Sequence, residues 1–144
     1  MRILSTITLF ALLVPGYARP ACLDADYSLA TEFSRASAVV IAEAQAERIV
    51  PDDPDDSPGF AATIYSVEID ESFRGPLRGN VELYSENSSG RFPMDVGKKY
   101  ILFMYNNGGT WSADDCGNSG LVVDSQEVIQ AVRKMSSSKA QKPN

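Results

Sequence analysis

The chain has 144 residues, 44% of them hydrophobic, with 13 Lys and Arg against 19 Asp and Glu for a net charge of −6. That length suits one domain with a modest core rather than two. Phosphate backbones are gripped by neutralising their charge with Lys and Arg, so an acidic chain is not expected to take nucleic acid as a partner.

Residues 1–18 read as an export signal. Met1-Arg2 supplies a positive start, residues 3–14 an almost wholly apolar run, and Gly16 and Ala18 the small side chains at −3 and −1 of a cut after Ala18. The run is too short for a membrane span, and no later stretch reaches the roughly 20 apolar residues that a spanning helix needs. The expected mature chain therefore begins at Arg19 and is secreted or periplasmic. With Arg2 removed from the 13 basic residues, 12 Lys and Arg face 19 Asp and Glu, and the net charge becomes −7. Cys22 and Cys116 are its two cysteines. In an oxidising compartment they are expected to form one disulfide, the alternative being two buried thiols. A bridge closing so long a loop contributes on the order of 4–5 kcal/mol by chain-entropy reasoning, an upper figure.

Residues 27–36 place Leu29, Phe33 and Ala36 at three- and four-residue spacing, which predicts a short amphipathic helix laid across a sheet by Leu29 and Phe33. From residue 38 the period changes. Ala38-Val39-Val40-Ile41-Ala42 is apolar on both pleat faces and rich in β-branched side chains, and a first long strand is expected over residues 38–50. Residues 51–59 hold three prolines and four aspartates and predict an exposed loop without regular structure. The carboxylates at 52–56 would suit calcium, but their spacing departs from an alternating aspartate loop and Pro54 stiffens the middle. A solvated loop is the expectation, and no metal is assigned.

Residues 60–73 alternate, with Thr63, Tyr65, Val67, Ile69 and Phe73 on one face and Ser66, Glu68 and Asp70 on the other. Arg74-Gly75-Pro76 ends that strand, and Val81-Glu82-Leu83-Tyr84 begins another with Val81 and Leu83 inward. Residues 85–91 make a polar connection, in which Asn87-Ser88-Ser89 matches a glycosylation sequon, a pattern common by chance. A turn at Val96-Gly97-Lys98 feeds residues 98–105, apolar on both faces. Asn106-Asn107-Gly108-Gly109 then reverses the chain into Thr110-Trp111, giving a central strand, a tight hairpin and a return strand closed by Cys116. Asp124-Ser125-Gln126-Glu127 has the form of a capping box, with Val123 and Val128 spaced for a hydrophobic staple. Val128, Ile129, Val132 and Met135 line one face of the helix that follows, expected to end near Met135, and residues 136–144 read as a disordered polar tail.

These elements predict a mainly β protein, a small five-stranded OB-fold-like barrel with a short N-terminal helix and a C-terminal helix, occupying residues 19–135. Catalytic chemistry is not expected. Histidine is absent, which removes the commonest general base and metal ligand. The adjacent carboxylates Asp70-Glu71 and Asp114-Asp115 point to opposite faces if they lie in strands, so they do not converge on one bond. No cofactor is implied. Trp111 with Tyr84, Tyr100 and Tyr105 admits two readings: Tyr100 and Trp111 fill the barrel, which is preferred, or the aromatics form a stacking platform for a glycan or small ligand.

In order and spacing, Cys22, Phe33-Ser34-Arg35-Ala36-Ser37-Ala38-Val39-Val40-Ile41-Ala42, Tyr65-Ser66-Val67 and Glu71-Ser72-Phe73-Arg74-Gly75 resemble a known family. Phe92, Val96-Gly97-Lys98-Lys99-Tyr100-Ile101-Leu102-Phe103 and Cys116-Gly117-Asn118-Ser119 continue the resemblance. The family is the netrin module of tissue inhibitors of metalloproteinases and their bacterial relatives. The likeness implies an OB-fold and an extracytoplasmic protein partner. It also implies a binding ridge built from the residues at the first cysteine and the loop between the third and fourth strands, here Cys22, Leu23 and Asp24 with Glu86, Asn87 and Ser88. The inhibitors begin Cys-x-Cys and chelate a protease zinc through the terminal cysteine's free amine. Here Leu23-Asp24 follow Cys22, and a start at Arg19 makes the Cys22 nitrogen an amide. The expectation is a protein-binding or inhibitor-like module without that chelation.

Overall fold

The structure, a computed structural model, describes residue 22 and residues 26–53 and 56–140. The expected signal segment, Leu23, Asp24 and the tip of the acidic stretch at 54–55 lie outside the described residues. The element order is α1 (Leu29–Arg35), β1 (Ala38–Asp53), β2 (Asp56–Arg74), β3 (Gly79–Glu86), β4 (Lys99–Asn107), β5 (Thr110–Ser112), β6 (Gly120–Leu121) and α2 (Gln126–Ala140). The first five strands are hydrogen-bonded in the order β1-β2-β3-β5-β4, and β4 returns to β1, so the sheet closes on itself as an uneven five-stranded barrel. Every pairing is antiparallel except β3 with β5, which is parallel and joined at the single pair Leu83↔Trp111.

The runs that are apolar on both faces are explained by two cores on opposite sides of one sheet. Ala38, Val40 and Ala42 of β1 and Tyr100, Leu102 and Met104 of β4 point into the barrel, where they meet Tyr65, Val67 and Leu83. The alternate residues Val39, Ile41, Ile101 and Phe103 point outward into a second cluster with Phe33 of α1 and Ile129 and Val132 of α2. A strand buried on both sides cannot alternate with polar residues. The two helices cover the outer face of β1 and β4, α1 by Leu29 and Phe33 as its spacing predicts. Gly108 and Gly109 turn the β4–β5 hairpin with φ of 58° and 96°, the two positive values a type I′ turn requires.

Four local expectations are corrected. The acidic stretch is not a free loop: β1 continues through Pro51 and Asp52 to Asp53, and β2 starts at Asp56. The ladder tolerates Pro51 because register shifts flank it on both sides, and a bulge can do without the proline's missing donor. β3 pairs only with residues 62–69 of β2 and β4 only with residues 38–43 of β1, so the far end of this hairpin is a two-stranded ribbon projecting from the barrel. Ile49, on β1 just before the ribbon begins, is 63% exposed.

Phe73 does not share the barrel face with Tyr65 and Val67. The partners of Ile41 and Ala42 are Glu71 and Ile69, and those of Val39 and Val40 are Arg74 and Ser72, so β2 carries extra residues at Asp70 and Phe73. These bulges turn Phe73 into the outer cluster beneath α2. At α2, Val123 is 75% exposed and makes no staple; Val122 packs in the outer cluster instead, and the helix opens at Gln126. That helix continues past Met135 to Ala140 because Ser136 Oγ donates to Phe73 O at 2.9 Å, and Ser137 and Ser138 donate back to Arg133 O and Lys134 O.

Candidate functional site

The ridge inferred from sequence divides into a part that is described and a part that is not. Cys22 is bonded to Cys116 with a Cα–Cα distance of 5.6 Å, whereas Leu23 and Asp24 lie outside the described residues. Glu86, Asn87 and Ser88 are exposed where β3 ends. Their turn is firmly held. Asn87 N donates to Ala61 O at 2.8 Å and Asn87 Nδ2 to Phe60 O at 2.9 Å, clamping it to β2, and Arg91 N donates to Ser88 O at 3.2 Å. The Arg91 guanidinium lies 5.6 Å from the Phe60 ring centroid.

The same turn is tied to the disulfide. Arg91 pairs antiparallel with Asp114, Asp115 N donates to Gly90 O at 3.1 Å, and Cys116 N donates to Asp114 Oδ1 at 3.0 Å. Residues 114–116 thus run as a strip from the bonds to Gly90 and Arg91, at the end of that turn, to Cys116, the disulfide partner of Cys22.

Beside that strip two clefts adjoin over the β3–β5 seam. One, of about 330 Å³, lies between Glu86, Ser88 and Arg91 on one wall and Ser112 and Asp114 on the other. The second, of about 200 Å³, is lined by Ile64, Glu82 and Trp111. Tyr84 and Thr110 line both. Tyr100 is buried inside the barrel, as preferred from sequence, but Trp111 is only partly buried: one side packs on the barrel core and another borders the cleft.

A third cleft of about 210 Å³ beside α1 holds a group that the sequence reading missed. Glu32 is 3% exposed. Asn118 donates to its Oε2 twice, from the backbone N at 2.7 Å and from Nδ2 at 2.5 Å, and Asn118 Nδ2 also reaches Tyr27 O at 2.9 Å. Gly117 is required next to this clasp, since a methyl group there would overlap the Glu32 carboxylate. Burial raises the Glu32 carboxyl above its ordinary range, opposed by the Asn118 hydrogen bonds. Burial, reinforced by the charges of Glu32 and Asp114, pushes the Tyr105 phenol up to about 12. Tyr105 therefore stays protonated and donates to the carboxylate. A signal was present: Leu29, Glu32, Phe33 and Ala36 share one helical stripe, which places Glu32 among the buried residues. The chemistry of the cluster is that of a structural clasp, because Glu32 is enclosed and its acceptors are occupied.

Among the described residues no group of three or more acidic, cysteine or histidine side chains converges to hold a metal ion. No helix among them is long and apolar enough to cross a membrane. Compared with protein-family models and with curated proteins, the chain finds no match.

Proposed function

We propose that this chain is an exported, non-catalytic OB-fold-like module that binds an extracytoplasmic protein through the ridge at Glu86, Asn87 and Ser88 and the segment anchored by Cys22. The observation that carries the reading is the bracing of an exposed turn from two sides. The turn is held to β2 through Asn87 and to the disulfide through residues 114–116. A surface already fixed in one shape loses little conformational freedom on association, which favours recognition of a macromolecule. The disulfide supports an oxidising compartment, secreted or periplasmic. The resemblance to the netrin module supports the same ridge. In this reading the mature chain begins at Arg19 and does not inhibit zinc proteases through a terminal amine. Intact mass with Cys22 first, together with inhibition abolished by acetylating that residue, would reverse that point.

The test is capture by the immobilised protein from an envelope or culture fraction. A protein retained by the native chain should be lost from a Glu86→Lys, Ser88→Arg variant that keeps its native circular dichroism. Undiminished retention would remove the ridge from the proposal. The partly buried Trp111 beside Tyr84 favours a second reading, a small-ligand or glycan module. That reading expects oligosaccharides to quench the single tryptophan, and silence across a glycan panel would end it.

A further inference from the structure

We infer that the paired clefts over the β3–β5 seam receive an extended, basic peptide segment of the protein partner. This rests on the reading above and names the chemistry of what is bound. The seam is the barrel's one incomplete junction, because only Leu83 and Trp111 pair across it. Between that pair and the Arg91–Asp114 bridge no ladder seals β3 to β5, and the two clefts form a groove over this thinly paired line in which an extended segment can lie.

The charge of the lining selects the occupant. Glu82, Glu86 and Asp114 border the two clefts, and Arg91, the cation there, is directed over the Phe60 ring. Glu82 and Glu86 are exposed, so their charge faces whatever lies in the groove. An acidic trough of this kind attracts lysine and arginine side chains and repels acidic ones. Tyr84, at the junction of the clefts, and Trp111 offer ring faces against which a guanidinium or the stem of a lysine packs. The adjoining volumes of about 330 and 200 Å³ suit a few consecutive side chains of an extended strand. A neutral glycan would use the aromatics and leave the carboxylates without a counterpart.

The test uses the full mature protein and Trp111 fluorescence. Titration with pentalysine should change the emission to saturation, and pentaglutamate should leave it unchanged. Replacing Glu82→Gln and Glu86→Gln together should weaken pentalysine binding roughly fivefold or more, the scale of a surface ion pair or two. Glu47→Gln, on β1 opposite Tyr65 and outside the lining of both clefts, should leave binding unchanged. The proposal fails if pentalysine is silent, if the Glu47 variant loses as much affinity as the Glu82/Glu86 pair, or if a neutral oligosaccharide replaces pentalysine as the quencher. Outcomes also separate the two levels. Partner capture without a pentalysine response would leave the ridge standing and overturn the groove, whereas a saturable pentalysine response without any captured protein would support the groove and overturn the partner reading.

Discussion

The two sides on which the barrel closes are built differently. β1 and β4 meet through six residue pairs from Ala38↔Met104 to Glu43↔Lys99, under two helices that bury Val39, Ile41, Ile101 and Phe103. β3 and β5 meet through one pair, with clefts on either side and an aromatic residue partly uncovered. The first junction is held by packing and a continuous ladder. The second is held by connections outside the strands: the Arg91–Asp114 bridge, the Asp115-to-Gly90 hydrogen bond and the disulfide next to them. A ring can close with one incomplete junction if its neighbours are cross-linked, and the incomplete junction is then the place where a second chain can enter.

The largest expected effect breaks the packed side. Phe103 is fully buried, and Phe103→Ala should cost about 3–5 kcal/mol of unfolding free energy in urea. Trp111→Ala at the open seam should cost less than half as much. Equal losses would mean that the seam is packed like the closed side. Next comes reduction of Cys22–Cys116, which should lower stability by about 2–4 kcal/mol and the melting temperature by several degrees. A transition unchanged by reductant would show that the strip of residues 114–116 holds without its covalent anchor. Gly109→Val, forced to a φ of 96°, should cost on the order of 1–3 kcal/mol. Gly90→Ala, with open space around it, should stay within about 0.5 kcal/mol in the same denaturation assay.

The smallest effect is one of pH. The folded-state value of Glu32 is raised above 4.5, so the folded state holds its proton more tightly than the unfolded chain. The Glu32 contribution to stability therefore falls as pH rises from about 4.5 through that raised value, with the full penalty above it. Asp26 opposes this at lower pH: hydrogen bonds from Ser28 and Thr31 depress its value, so its contribution is lost as pH falls through it. Denaturant midpoints measured from pH 4.5 to 7 should decline less steeply in Glu32→Gln than in the native chain. Identical slopes would show that this carboxyl does not titrate in the folded protein over that interval.

What the sequence made legible was local. The hairpin at Gly108-Gly109 was readable because few residues adopt two successive positive φ values. The disulfide was readable from an even cysteine count. The strands with two apolar faces were visible at residues 38–42 and 98–105, and so was the stripe by which α1 docks, but not that α2 shares the same face, because Phe33, Ile101 and Val132 join one cluster only through long-range packing. Turn composition at Pro51-Asp52-Asp53 suggested a loop, and the β1–β2 ladder overrode it. Phe73 was misplaced because a two-residue period counts no bulges. Glu32 lay on a legible stripe, yet its partner Asn118 is 86 residues away and nothing local announces it.

The return of β4 to β1 also imposes an order on folding. β1, β2 and β3 follow one another in sequence and can pair early, whereas residues 38–43 must wait for residues 99–104, roughly sixty positions later. During that wait Val39, Val40 and Ile41 line a strand edge without its neighbour, the kind of surface on which partly folded chains aggregate. Cys22 has no partner until residue 116 has been synthesised. A chain that stops short of β4 lacks both Cys116 and the strand that shields β1.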